Sequence, residues 1–400
     1  MTTKVEFIGM PVKFAFVIFK YFPFGGMQRD MLRTANELVK RGHTVEIFTM
    51  TWQGDAPADI KVYELPQKAL FNYQRYQQFI ETTFALINGN NFDYVFGYNR
   101  MAGLDAHFAA DPCFIERAHK QRNFLYRLLP RFKWFAACEK AVFSADVDTE
   151  ILAVSLTEKP HFQHWYGTQS ERFHYIPPYL SPERFVLQDK TTMRAHLRDA
   201  FGFAANDFVF LLTGSGFAMK GLDRAILALA ALPEEVRANT RLVAVGQDNP
   251  KQFQKMAKKL GLADHVVISK GRPDIPQLMQ GTDVCVHPAY RENTGLVILE
   301  GMACGAPMLV TASCGYAQHV ADADVGIVSP SPFNQDVFNQ QFLQMRQTDK
   351  TEWAKNGLAY TQQIMQANNG AAESEILIKL ANQKIAYQKS VLREKENSHE

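Results

Sequence analysis

Cysteine is scarce in this 400-residue sequence: five residues, odd in number, scattered, with no Cys-x-x-Cys spacing. That excludes a disulfide framework and a cysteine-bound zinc site. It reads Cys113, Cys138, Cys285, Cys304 and Cys314 as buried free thiols in a reducing compartment. Net charge is nearly absent too, with 43 basic against 41 acidic residues for a formal +2. A globally basic surface for nucleic acid is therefore excluded. Long apolar runs are missing: Phe14–Phe19 follows Lys13 but is stopped by Lys20 with no small-residue cleavage site after it. It reads as a buried strand, not a secretory leader or a span, since a membrane helix needs about 18 apolar residues or more. Also missing are GxGxxG, the Walker A order, HExxH and any clustered histidine spacing, so dinucleotide, P-loop and zincin readings are weak.

What is present is an alternation of strands and helices over 400 residues, a length that favours two domains. Strands are expected at 12–19, 44–49, 93–98 and 151–155, with a helix at 27–40 whose apolar spacing ends at Gly42. Three prolines among residues 177–182 cannot continue a helix or a central strand, so a hinge is placed there. A second series follows, with strands at 208–213, 241–245, 265–269, 284–287 and 308–311 and helices at 222–231 and 251–260. From about Trp353 the pattern is helical, ending in a charged, frayed stretch from Leu392. The expected division is residues 1–178, 179–365 and a helical segment 366–400 returning to the first domain. Alternating elements imply parallel sheets with right-handed crossovers.

Three loops carry chemistry. The sharpest is Tyr290–Pro307, in which Glu292 and Glu300 are separated by seven residues. Glu292 follows the strand ending at His287, and a helix is expected from Thr294 as N-cap. The amides of Gly295, Leu296 and Val297 are then first-turn donors without intrahelical partners, a terminus suited to a diphosphate. Gly295 allows close approach, and Glu300 lies one turn on, placed for ribose hydroxyls. Two glutamates alone also fit a solvated helix face. The strand before, the glycine at the start and the Gly305-Ala306-Pro307 stop decide for a site. The second loop, Thr213–Gly221, follows a strand, opens a helix and offers Lys220 to a phosphate, although a solvated loop lysine fits equally. In the third, Gly25 and Gly26 allow an anion to approach a helix start, and Asp30 is either a base or orienter or an acidic residue of the first turn.

Together these loops resemble the retaining GT-B glycosyltransferases, the family of glycogen and sucrose synthases and of mannosyltransferases. The string Phe19–Asp30, with His287–Tyr290 and Cys314–Ala317, is similar to the branch of lipopolysaccharide-core glucosyltransferases, over about residues 14–380. The resemblance implies an α/β GT-B fold: two Rossmann-like domains with parallel sheets facing across a cleft. It implies a UDP-sugar donor, UDP-glucose, and transfer with retention onto an inner-core heptose of lipopolysaccharide. No metal or other cofactor is expected, because basic residues and a helix end neutralise the diphosphate. Glu292 is carried onto the donor sugar, Glu300 onto the ribose, Lys220 onto the diphosphate, and Gly25 and Gly26 onto phosphate and acceptor. Arg184 matches a second phosphate contact, and Arg272 lies where the family passes backbone near the base. Two departures are Ser215, where the family often has arginine, and Met219-Lys220, where close relatives have Arg-Lys. They leave Arg184 more phosphate charge to neutralise.

One further segment stands apart. Residues 114–143 hold seven basic and two acidic side chains, a local +5, while the whole chain carries +2. Arg122, Arg127, Arg131 and Lys133 beside Phe124, Tyr126 and Trp134 suit an anionic membrane surface, and equally a core-facing helix with a solvated basic side. Pro130 is expected to kink or split the helix. The expectation is a peripheral protein on the inner face of the cytoplasmic membrane. Asp146-Val147-Asp148 and Asp322-Ala323-Asp324 imitate metal-binding carboxylate pairs, but surface carboxylates usually need no ion. His43 reads as a helix-stop residue, and His107 as either a cleft residue or a satisfied polar one. Rival readings are another UDP-sugar transferase of this fold, a UDP-sugar epimerase, a Rossmann oxidoreductase and a non-catalytic membrane adaptor.

Overall fold

The computed structural model describes residues 10–23 and 25–397; Phe24 of the first-loop string and residues 398–400 of the expected frayed tail lie outside them. The chain forms two compact units: residues up to Pro177 together with Gly370 onward, and Pro178–Asn369.

The first unit is built on a seven-stranded parallel sheet. Its strands are β1 (Lys13–Val17), β2 (Thr44–Thr49), β3 (Lys61–Glu64), β4 (Tyr94–Gly97), β5 (Ala106–Ala109), β6 (Glu150–Ala153) and β7 (Phe173–Tyr175), in the order β3-β2-β1-β4-β5-β6-β7. β1 is central because Phe14, Ala15, Phe16 and Val17 are apolar on both faces, and all are buried. The helix Gly26–Lys40 packs Met31, Ala35 and Leu38 on it, and the C-terminal helix Ala372–Asn397 adds Leu377, Leu380 and Ala381 to the same core. Helix therefore continues past Leu392, where fraying was expected. This last helix is tied down by polar contacts as well. Lys384 Nζ reaches Asp105 Oδ1 at 2.7 Å, and Tyr98 Oη donates to Glu373 at 2.8 Å.

The second unit has six parallel strands: β8 (Phe208–Thr213), β9 (Thr240–Val245), β10 (Val266–Ser269), β11 (Val284–His287), β12 (Met308–Thr311) and β13 (Gly326–Ser329), in the order β10-β9-β8-β11-β12-β13. Both sheets thus have the same plan. Strand order reverses between β1 and β4 in one and between β8 and β11 in the other. In open parallel sheets the crevice at the carboxyl ends of such a strand pair is where ligands bind. These are the two Rossmann-like α/β domains expected. All five cysteines are unpaired, four of them buried and Cys138 half-buried.

Candidate active site

The switch point of the second sheet gathers Lys220, Glu292 and Gly295, while Arg272 lies at the far edge, after β10. The loop after β8 turns through Gly216, whose carbonyl accepts from the amides of Met219 and Lys220 at 2.8 and 2.9 Å. It then enters the helix Leu222–Ala230 through Gly221, at φ +75°. A Cβ at Gly221 would stand 2.1 Å from the carbonyl oxygen of Pro288, so only glycine lets this loop lie against the loop after β11. The contact continues where Tyr290 N donates to Met219 O at 2.9 Å. Arg224, nearly buried, donates to the carbonyls of Pro288 and Ala289, both at 3.1 Å, and stacks between Tyr290 and Phe333.

This scaffold brings Lys220 and Glu292 into an ion pair. Glu292 is also fixed through its backbone, its amide donating to Ser313 O at 3.1 Å and its carbonyl accepting from Gly315 N at 3.0 Å. His287, buried at the end of β11, places Nε2 3.4 Å from Glu292 Oε2, an ionic contact longer than a well-formed hydrogen bond. Burial pushes the Glu292 carboxyl up, but His287 and Lys220 outweigh it and bring it down to about 2, so Glu292 is a carboxylate at neutral pH. Burial works against a charged His287, yet its contacts with Cys314 and Glu292 raise it above the usual histidine value. Sequence reasoning missed His287 and Arg224. The signal for the first was a histidine closing a buried strand five residues before the glutamate.

The helix over Glu300 is Leu296–Ala303, and its N-cap is Gly295, not Thr294 as expected. Gly295 takes φ +83°, ψ +51°, a left-handed conformation that leaves threonine one residue outside the helix. The carbonyl of Thr294 instead accepts from Tyr316 N at 2.7 Å. Leu296 and Val297 open the first turn, whose amides have no intrahelical acceptor, and the Cγ of Glu292 lies over Gly295. Glu300, buried one turn later, pairs with Arg184 Nη1 at 3.1 Å. Arg184 sits in the short turn Pro182–Phe185, so two residues 116 apart in sequence share one contact. Arg272 follows β10 and is held by Asp274 in a bidentate pair at 2.8 and 2.7 Å. Ser215, at the position where the family often has arginine, accepts the Gln247 amide at 3.1 Å.

In the first unit, Gly25 is the N-cap of Gly26–Lys40 with ordinary backbone angles, and no atom stands within 4 Å of a Cβ built on Gly26. Gly26 thus provides open space, whereas a Cβ at Gly25 would stand 1.8 Å from Gln28 Oε1, so that glycine makes room for the Gln28 side chain. Asp30 pairs with Arg33, which also reaches Glu373 at 3.3 Å. Burial raises Asp30 above the usual carboxylate range, opposed by Arg33. His107 is a structural residue: buried, with Nδ1 3.0 Å from Gly97 O, and pushed down to about 3 mainly by burial. His43 Nδ1 accepts the Val12 amide at 3.1 Å. Asp322 closes the helix Ala317–Asp322 and accepts from Gln318, while Asp324 takes a positive φ.

The basic segment is three helices, Phe114–Gln121, Phe124–Leu128 and Pro130–Phe143, with Pro130 at the start of the third. Two of the side chains expected at a membrane surface are only half-exposed. Trp134 is half-buried against Tyr76 and Phe135 because it faces the unit's core. Arg127 is half-buried, within hydrogen-bond distance of His119. The exposed apolar side chains are Phe124, Leu125, Leu128 and Leu129, beside exposed Arg122, Arg131 and Lys133.

Comparison with known proteins decides the family. Residues 193–357 match the glycosyl transferases group 1 model, and residues 24–184 match glycosyltransferase family 4. The lipopolysaccharide glucosyltransferase WaaG of Escherichia coli (strain K12) is 38% identical over 363 residues, covering 90% of this chain and 97% of that protein. The chain belongs to the group 1 glycosyltransferases. The crystal structure of WaaG superposes on this glycosyltransferase with a TM-score of 0.83, covering 87% of this chain and 95% of that one. The fold is shared more widely. Anabaena Alr3699/HepE, solved in complex with UDP-glucose, gives a TM-score of 0.68 at 20% identity, over 95% of this chain and 99% of that one. This glycosyltransferase is thus a GT-B enzyme, close in sequence and structure to a lipopolysaccharide glucosyltransferase.

Proposed function

We propose that this glycosyltransferase moves glucose from UDP-glucose, with retention of configuration, onto a heptose of the lipopolysaccharide inner core. The observation that carries the reading is the convergence of Lys220, Glu292 and the first-turn amides at Gly295 on the switch point between β8 and β11. The substrate identities follow from the likeness to WaaG. The diphosphate sits on the amides of Gly295, Leu296 and Val297 and takes the ammonium of Lys220. Glu292, released from the lysine, accepts the hydroxyls of the donor sugar. Glu300, anchored by Arg184, accepts those of the ribose, and Arg272 with its neighbouring backbone lies beside the base.

Catalysis rests on charge. Lys220, Arg184 and the helix terminus stabilise the diphosphate as it leaves, with no metal ion required. The acceptor hydroxyl attacks from the face the phosphate leaves, and the departing phosphate oxygen takes its proton. In the first unit, Gly26 leaves room for substrate beside Gly25, and Asp30, positioned by Arg33, orients the acceptor. The enzyme works from the inner face of the cytoplasmic membrane, with the exposed Phe124–Leu129 apolar cluster and the neighbouring Lys133 on an anionic surface. The test is incubation with a panel of UDP-sugars, with and without deacylated, truncated lipopolysaccharide, and weighing of the products. A single added hexose, from UDP-glucose and only with acceptor, is expected. A changed sugar nucleotide formed without acceptor identifies an epimerase instead.

A further inference from the structure

The first unit contains a cavity of about 500 Å³ that the donor chemistry does not use. Its inner wall is Phe19 and Asn99, the residues just past β1 and β4, so it lies at the switch point of the first sheet. Asn99 Oδ1 accepts the Phe19 amide at 2.7 Å, which locks that wall. The outer wall comes from the basic helices and carries Arg117, Arg122 and Arg131.

The cations on this wall differ in how they are engaged. Arg100 is committed, paired with buried Glu139 and donating to the carbonyls of Asp111 and Pro112, both at 2.8 Å. Arg117, Arg122 and Arg131 are exposed, and among the described residues no carboxylate lies within ion-pair distance of them. Two of them are laid on rings instead: Arg122 over Tyr126 at 5.4 Å and Arg131 over Phe135 at 5.7 Å. A guanidinium resting on an aromatic face keeps its edge donors directed outward for an anion. Glu139 holds the wall in shape. It accepts the amides of Phe114 and Ile115 at 2.6 and 3.0 Å, joining the helix that bears Arg117 to the one that bears Arg131. The backbone that carries the cations is therefore held in place, which lowers the entropic cost of binding.

We infer that this cavity binds an acidic sugar of the acceptor, its carboxylate or phosphate held by Arg117, Arg122 and Arg131 and its apolar face on Phe114, Tyr126 and Phe135. This rests on the transfer reading above and specifies the acceptor's chemistry. Asp111, also on the wall, is the acceptor for sugar hydroxyls. A lipid headgroup offers the same anionic oxygens. However, the cavity is walled on one side by strand-end loops, whereas the exposed Phe124, Leu125, Leu128 and Leu129 that suit a membrane are not among its lining residues.

The test uses the full-length protein, UDP-glucose and a soluble, deacylated core acceptor. Arg117→Gln and Arg131→Gln are each expected to raise the acceptor KM about tenfold while the donor KM stays, the scale of one lost charge-assisted hydrogen bond. Arg117→Lys restores part of the loss. Galacturonate and glucose 6-phosphate compete with acceptor, whereas galactose and glucose do not. Unchanged acceptor KM in both variants, or donor and acceptor KM rising together, overturns the assignment. Loss of binding to phosphatidylglycerol vesicles with unaltered transfer to the soluble acceptor also overturns it, and makes the cavity a headgroup site. If the wild type transfers nothing, the function reading fails. The cavity is then read independently by saturation-transfer NMR of galacturonate, expected with wild type and lost in Arg117→Gln; equal signals from the two refute it.

Discussion

Lys220 and Glu292 form an ion pair although one lies in the loop after β8 and the other in the loop after β11. The contact exists because strand order reverses between β8 and β11, so both loops leave the same edge-to-edge pair of strands in opposite directions. Each partner holds the other at the switch point, where the proposed donor would lie.

The two glutamates should therefore fail differently. Glu300→Ala removes the ribose contact and leaves Arg184 without its carboxylate, so donor affinity should fall by about tenfold or more, the worth of a hydrogen bond to a charged group. Glu292→Ala should mainly lower kcat, by roughly 10²-fold, the scale of losing one preorganised group at the reacting centre. Calorimetric titration of UDP and steady-state kinetics with each variant separate the two effects. Wild-type donor affinity and turnover in both would refute the site.

Gly221→Ala should damage the same site without touching a charge. The new methyl meets the Pro288 carbonyl at 2.1 Å, and φ +75° is unfavourable for alanine. A cost of roughly 1–3 kcal/mol is expected, seen as a lower Tm together with weaker UDP binding. An unchanged Tm would show that the two loops do not depend on each other.

Much of this was legible in the sequence. Strands β8, β11 and β12 are continuous apolar runs between turn residues, and their limits matched the expected ones. Strands β3, β5, β7 and β13 went unread because their signals are weak; β5 is only Ala106–Ala109, a histidine and a phenylalanine between two alanines. β3 is a four-residue edge strand bearing Lys61 and Glu64, β7 has three residues, and β13 is a short half-buried segment opening on a glycine. The Glu292–Glu300 spacing was readable because one short loop and the helix that follows it carry both glutamates. The Arg184–Glu300 pair and the role of Arg224 were not, since they depend on how distant loops meet. The packing of Trp134 was not legible, because periodicity gives an apolar stripe but not what covers it.

Stability should depend on pH through Glu373. This buried carboxyl is raised from its ordinary 4.5 to about 7, chiefly by burial, against the opposing pull of Arg33. The folded protein then holds a proton that the unfolded chain releases. The stabilisation is full below about 4.5 and is lost as pH rises through about 7. Glu373→Gln keeps an acceptor for Tyr98 and Arg33 but does not titrate, so its Tm should gain on wild type over that window. Parallel Tm curves for the two proteins would contradict this.

Membrane association should depend on apolar side chains outside the cavity. Leu125→Ser with Leu129→Ser is expected to reduce co-sedimentation with phosphatidylglycerol vesicles. Wild-type binding should weaken with salt, because attraction is screened over about 8–10 Å near physiological ionic strength. Neutral vesicles should bind neither protein. Equal sedimentation of variant and wild type would show that the exposed cluster is not the contact.

The most direct measurement is the mass and anomeric configuration of the product made from UDP-glucose and the deacylated acceptor in excess EDTA. The donor site described above, with Lys220, Arg184 and a helix terminus for the diphosphate, predicts one added hexose. Its anomeric proton should show the small coupling of the α-configuration that UDP-glucose carries. Product formed only after manganese is restored, or a β-linked sugar, would contradict it.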